Sequence, residues 1–277
     1  MHLTNEELEQ KSLKIRKELL ELCNRESIHI GGDLSIVDIM TVLWQCFLRY
    51  NPNNPKDESR DRFVLSKSHA SAVLCLNQAE IGCFDKQEVI NNYAKDNSMF
   101  SMHSCDLINP YVEVSTGSLG HGLPVACGIA AALKIKNSNS KVYVIMGDGE
   151  QAEGSIWEAV MNASNYKLNN IIAIIDNNNM GADGALDKYS PVVDLRDKYI
   201  AFGWNAFEID GNNIKEIVDT FNTINFMNTD KPSVIIAKTI KGKGIGFMEN
   251  NSKWHAGKLT DKEYVNAIES LMNAKRV

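Results

Sequence analysis

Apolar residues recur near helical spacing over residues 4–23, where Leu8, Leu13, Ile15, Leu19, Leu20 and Leu22 are set among charged positions. Thr4 precedes the run and Glu7 follows it by three residues, so a capped helix is expected to start there. Residues 33–50 are more apolar and predict a second helix, with Asp33 as its cap and the "NPNNPKDESRD" stretch as its stop. Residues 62–66 (RFVLS) predict a short strand, and residues 69–82 a helix closed by Gly82. Residues 101–122 are rich in Gly, Ser and Asn and read as irregular. Residues 122–136 read as a small-residue helix able to pack closely on a sheet.

The pattern is sharpest from residue 141 onward. KVYVIM (141–146) predicts a strand, GDGEQAEG (147–154) a turn, residues 155–167 a helix and NIIAIID (170–176) a strand. Strand, helix and strand at this spacing form a βαβ unit, which requires parallel strands and a right-handed crossover. The pattern repeats more weakly over residues 193–203, 204–210, 213–224 and 233–239, and residues 260–277 read as one last helix. The expected fold class is therefore α/β, a parallel sheet with helices on both faces. No internal repeat, low-complexity tract or linker divides the chain, so residues 1–277 are expected to form a single domain.

Composition narrows the classes of function. The 277 residues are 44% hydrophobic and 23% charged, as in an ordinary soluble protein able to bury a sizeable core. A net charge of −6 argues against non-specific nucleic-acid binding, which needs a basic face. The six cysteines form no C-x-x-C pair, so neither a zinc site nor a disulfide framework is expected. Free thiols in a reducing cytosol fit instead, and a cytoplasmic location is the expectation. The N-terminus lacks a signal-peptide pattern. No apolar run approaches the roughly 18 residues that a membrane span needs.

In open parallel sheets, ligands bind beyond the carboxyl ends of the strands. The apolar run Ile171–Ile175 ends in Asp176, Asn177, Asn178 and Asn179, and the neighbouring strand ends in Gly147-Asp148-Gly149. A βαβ unit can bring Asp148 and Asn178 side by side. One carboxylate and one carboxamide oxygen make a weak cage for a bare cation. They suit Mg²⁺ when the ligand supplies phosphate oxygens. The glycines flanking Asp148 permit close backbone approach to a diphosphate, and a helix starting near Gln151 aims its N-terminal dipole at that anion. Apart from His2, the histidines lie in Gly- or Ser-bearing turns or at helix starts, where functional histidines are common. The "KGKGIG" run lacks P-loop spacing and reads as a mobile loop over the site.

The stretch "GDGEQAEGSIWEAVMNASNYKLNNIIAIIDNN" resembles the signature of thiamine-diphosphate enzymes, G-D-G followed after roughly 25 to 30 residues by N-N. "RDRFVLSKSHAS", "VEVSTGSLGHGL" and "KGKGIGFMEN…WHAG" resemble three further blocks of the transketolase family, in the same order, so the resemblance covers residues 12–258. It implies that Asp148 and Asn178 bind Mg²⁺ by side chain and Met180 by its carbonyl. It implies that Gly149 meets the diphosphate through its backbone, that His69 and His255 hydrogen-bond it, and that Gly117, Ser118 and Leu119 line the cofactor. His29 and His103 would face the reacting sugar, and His255 is counted as catalytic besides its contact with the diphosphate. Glu158 matches an acid near a subunit interface and is counted with the cofactor-binding residues, whereas His121 falls where the family block usually has another polar residue and is read as structural. The "HIGGDLS" run departs from the family, which has proline after the first histidine. That variant also resembles deoxyxylulose-phosphate synthases and leaves donor and acceptor open.

The resemblance also implies what a partner must bring. The pyrimidine-binding domain, with its activating glutamate, and the small C-terminal domain have no counterpart in this sequence. The expectation is thus the N-terminal subunit of a two-subunit transketolase, active only with a C-terminal partner in an α2β2 assembly. It would transfer a two-carbon ketol unit from a ketose phosphate to an aldose phosphate. The alternatives are a subunit of another thiamine-diphosphate enzyme, such as a 2-oxoacid decarboxylase, or a non-catalytic diphosphate-binding module.

Overall fold

The computed structural model describes residues 3–188 and 193–273. The first helix, α1 (Asn5–Arg25), opens on the expected capping box. Thr4 Oγ1 accepts from the Glu7 amide at 3.2 Å, and Glu7 Oε2 accepts from the Thr4 amide at 2.7 Å.

Residues 33–50 do not form one helix. The chain instead makes α2 (Ile30–Ser35) and α3 (Val37–Val42), which runs into a π-helical turn at Leu43–Phe47. Asp33 lies inside α2, is fully buried, and takes the amide of Val73 at 3.0 Å rather than capping its own helix. Both short helices are buried on every side, so no polar face marks the break between them.

Then follow β1 (Arg62–Leu65), α4 (Ser71–Glu80), α5 (Lys86–Asn92), α6 (Gly122–Ile135), β2 (Val142–Gly147), α7 (Gly154–Asn165) and β3 (Ile171–Asn177). The chain continues through α8 (Leu195–Ala201), β4 (Asn205–Asp210), α9 (Ile214–Phe226), β5 (Ser233–Lys238) and α10 (Asp261–Asn273). The end of the expected last helix, residues 274–277, lies outside the described residues.

The five strands form a wholly parallel sheet in the order β1-β2-β3-β5-β4. Alternation splits each strand between two cores. Tyr143, Ile145, Ile172, Ile174 and Ile235 pack with residues of α1, α3, α4 and α9. Val144, Met146, Ala173, Ile175 and Ile236 pack with residues of α6, α7 and α8. This is the expected α/β fold, with continuous apolar strands because both faces are covered. Register brings the strand ends level: Gly147 lies opposite Asp176, and Asn177 opposite Lys238.

Two local expectations are corrected. Gly149–Ala152 form a single 3₁₀ turn and Glu153 is extended, so the helix after the G-D-G turn begins at Gly154, not near Gln151. The "KGKGIG" run is packed rather than free. Lys241, Ile245 and Met248 are buried, and the Gly242 amide donates to the Gly31 carbonyl at 3.0 Å.

Candidate functional site

The polar end of β3 is built around Asp176, which is fully buried. Its carboxylate accepts from Lys67 Nζ at 2.5 Å, Ser35 Oγ at 2.6 Å, Asn178 Nδ2 at 3.0 Å and Thr239 Oγ1. Burial alone would raise this carboxyl. The Lys67 ammonium and the hydroxyl donors outweigh it and hold the group below the usual carboxylate range. Lys67 also donates to the Gly32 carbonyl at 3.0 Å. One residue thus ties α2, the end of β1, the turn after β3 and the end of β5.

Asp148 follows β2. Its Oδ1 accepts from the Gly149 amide at 2.8 Å and its Oδ2 from the Asn179 amide, while its own amide donates to the Asp176 carbonyl at 3.2 Å. Burial, with the nearby Asp176 charge, pushes the Asp148 carboxyl up to about 6. Asn178 Oδ1 accepts from the Met180 amide at 3.0 Å. Asn179 adopts a left-handed backbone, φ 57°, which folds the turn back toward Asp148. The Met180 and Gly181 carbonyls accept from Lys241 Nζ at 3.2 and 2.9 Å. A carboxylate from the turn after β2 and a carboxamide oxygen and a carbonyl from the turn after β3 are therefore brought to adjacent strand ends, a hard-oxygen donor set that fits Mg²⁺. Among the described residues no group of three or more His, Cys, Asp or Glu side chains is arranged to hold a metal.

The structure brings four of the predicted histidines together. The His29 ring centroid lies 5.3 Å from that of His69, 5.7 Å from His103 and 5.4 Å from His255, and His69 lies 5.5 Å from His255. Burial first, then the charge of Lys67, pushes His69 down to about 2. Burial and Lys241 push His255 down to about 4, and burial also lowers His29. These three rings are neutral at pH 7. Lys241 Nζ lies 2.9 Å from His255 Nδ1. An ammonium can only donate, so Nδ1 accepts and Nε2 carries the ring proton. His29 Nδ1 is buried with no partner, an orphaned polar atom of the kind a ligand satisfies. Neutral rings beside two ammonium groups and an unpaired ring nitrogen fit an anionic, hydrogen-bonding cofactor such as a diphosphate.

The remaining predicted residues divide. Gly117 lies against His103, where an added Cβ would meet the ring at 3.6 Å; Ser118 is exposed and Leu119 half-buried on the same loop. Gly149 sits beside Asp148, half-buried, with its amide donating to Asp148 Oδ1. Glu158 is exposed on α7 and, among the described residues, makes no hydrogen bond or ion pair to this group, so the structure does not bring it to the site. His121 is exposed at the start of α6, with Nδ1 3.2 Å from the Leu119 carbonyl.

Sequence reasoning missed Lys67, Asp176, Lys241 and Glu150. Buried Glu150 accepts from Ser66 Oγ, from the Gly120 amide at 2.8 Å and from the Gly147 amide at 3.0 Å, fastening the 117–120 loop to the ends of β1 and β2. A signal was present: Asp176 directly follows the apolar run Ile171–Ile175 inside β3, and Lys67 stands two residues past β1, where a surface loop would not yet have begun. A cleft of about 670 Å³ opens at the same edge of the sheet, lined by Asp148, Asn178, Asn179 and Thr239 but by none of the histidines.

Known proteins place the chain in a family. The family described as transketolase, thiamine diphosphate binding domain, matches residues 18–273. One of the subunits of the apulose-4-phosphate transketolase of Phocaeicola vulgatus is 41% identical over 267 residues, which cover 96% of this chain and 94% of that protein. The 6-deoxy-6-sulfo-D-fructose transketolase subunit of a Clostridium species is 37% identical, covering 96% of each. Among solved structures, transketolase from Campylobacter jejuni superposes with a TM-score of 0.88 at 30% identity, over 98% of this chain but 43% of that one. The chain thus spans less than half the length of that enzyme. It belongs to the transketolase family, as the counterpart of its N-terminal, thiamine-diphosphate-binding part.

Proposed function

We propose that this chain is the diphosphate-binding subunit of a two-subunit transketolase that uses thiamine diphosphate and Mg²⁺. The observation that carries the reading is the convergence of His29, His69, His103 and His255 with Lys67 and Lys241, beside the Asp148–Met180 oxygen donors. Relatives matched over 94–98% of their own length are named as single subunits of a transketolase, which supports a separate partner. That partner would be the C-terminal, pyrimidine-binding half, in an α2β2 heterotetramer. A cytoplasmic enzyme of sugar-phosphate (pentose-phosphate type) metabolism is the setting we propose. No helix among the described residues is long and apolar enough to cross a membrane.

In this reading Asp148, Asn178 and the Met180 carbonyl hold Mg²⁺. The Gly149 backbone, His69 and His255 bind the diphosphate, and Gly117, Ser118 and Leu119 line the cofactor. Lys241, which donates to the Met180 and Gly181 carbonyls, would supply positive charge beside the diphosphate. Bound thiamine diphosphate supplies the nucleophilic carbon and the electron sink that ketol transfer needs. His29 and His103 orient the hydroxyls of the donor and acceptor sugars. A neutral imidazole both donates and accepts, so the His29 ring can move a proton between substrate oxygen and solvent at neutral pH. Glu158 would act at a contact between subunits. The substrates proposed are a ketose phosphate donor and an aldose phosphate acceptor. The relatives named for apulose-4-phosphate and for a sulfonated ketose are two sugars to try first.

The test is a pull-down of the tagged chain from its native cells, mass spectrometry of what co-purifies, and an assay of the complex for ketol transfer with thiamine diphosphate and Mg²⁺. A stoichiometric partner with transfer activity is expected. A complex without ketol transfer but with decarboxylase or acyloin-forming activity overturns the assignment.

A further inference from the structure

We infer that Asp33 is a positioning residue that sets the separation of His29 and His69, by a hydrogen bond running from α2 to the start of α4. Asp33 stands one turn beyond His29, with its amide donating to the His29 carbonyl at 3.1 Å. Val73 stands one turn beyond His69. Asp33 Oδ1 accepts from the Val73 amide at 3.0 Å, so one bond joins two points each four residues past a site histidine. The two rings below it are 5.3 Å apart.

The first turn of α4 explains why an acceptor is needed. A helix leaves its first amides without intrahelical partners. No side chain at the start of α4 caps it, and Val73 is its third residue. Asp33 supplies the missing acceptor from another helix. Two further contacts orient α2 on other sides: the Gly31 carbonyl accepts from the Gly242 amide at 3.0 Å, and the Gly32 carbonyl from Lys67 Nζ at 3.0 Å. The Asp33 bond adds the direction toward α4.

Asp33 also carries a cost that packing alone would not impose. It is fully buried, and its Oδ2 has no hydrogen-bond partner. Burial pushes its carboxyl up to about 7. A position that needed only bulk would hold an apolar side chain here. The inference rests on the proposed roles of His69 toward the diphosphate and His29 toward the sugar, but its geometric half stands without them.

Three variants test it. Asp33→Asn keeps an acceptor for the Val73 amide and mimics the neutral carboxyl. Asp33→Leu keeps the volume and removes the acceptor. Val73→Pro removes the donor at the third residue of α4, whose amide has no intrahelical partner. Each is crystallised to read the His29–His69 separation. Each is also assembled with the partner subunit for calorimetric titration with thiamine diphosphate and Mg²⁺. Asp33→Asn is expected to keep the rings in place and the cofactor Kd within about twofold. Asp33→Leu and Val73→Pro are expected to displace the rings by on the order of 1 Å and weaken the cofactor by on the order of tenfold. Rings that stay at 5.3 Å in a folded Leu or Pro variant overturn the inference. So does an Asn variant that moves them as far as Leu does. If Asp33→Leu fails to fold, Val73→Pro and Asp33→Asn still decide. If the parent protein binds no thiamine diphosphate, the functional reading fails, while the ring separations still judge the tether.

Discussion

Replacing Lys67 with Met removes the cation from a pair whose side chains are only 3% and 0% exposed. Taking one partner from a buried ion pair leaves the other charge uncompensated and costs roughly 3–5 kcal/mol. Ser35, Asn178 and Thr239 still donate to Asp176, so the lower end applies and about 3 kcal/mol is expected. For a chain of this size that is a fall in Tm of roughly 6–12 °C. Thermal and urea unfolding of parent and variant at pH 7 measure it. Acid sharpens the test. In the parent, the Asp176 carboxyl is held below its ordinary value, so its contribution is present above the unfolded pKa and is lost as pH falls through the folded one. In Lys67→Met burial is less opposed and the folded pKa rises, so the variant loses stability as pH rises from about 4 toward 7. The deficit should therefore be largest at pH 7 and shrink toward pH 4. Adding Asp176→Asn to the variant should recover part of the loss. A deficit below about 1 kcal/mol at pH 7, or one unchanged between pH 4 and 7, would refute the claim that this pair organises the strand ends.

Three further outcomes are expected. Asp148→Ala should abolish Mg²⁺-dependent binding of thiamine diphosphate in calorimetry, with little loss of fold; unchanged affinity would remove Asp148 from the metal set. His103→Ala should slow ketol transfer by about 10²-fold or more while sparing cofactor binding, because the ring is exposed at the mouth of the histidine group; loss of the cofactor instead would place His103 on the diphosphate side. Gly122→Ala should destabilise by roughly 1–3 kcal/mol, since its Cβ would come within 2.8 Å of the Ser66 Cα and nearer still to the Ser66 side chain; a neutral result in urea unfolding would show that α6 can move away from β1 freely.

The sequence by itself determined the parts whose information is local. Apolar runs bounded by turn residues located all five strands, and the G-D-G and N-N strand ends, 30 residues apart, pointed to Asp148 and Asn178. Turn location marked five histidines, and the family resemblance singled out His29, His69, His103 and His255 among them. Where packing covered every side of a segment, the pattern carried no phase. That is why α2 and α3 looked like one helix and Asp33 like its cap. Lys241 likewise looked like part of a mobile loop, although it is buried and bonded to Met180, Gly181 and His255. The network on Asp176 could come only from the tertiary structure. Its donors Ser35, Lys67 and Thr239 lie 141, 109 and 63 residues away along the chain. Hydrophobic periodicity records how one segment meets the core. A buried carboxylate is satisfied by whichever donors the folded strand ends deliver, and no local pattern encodes that meeting.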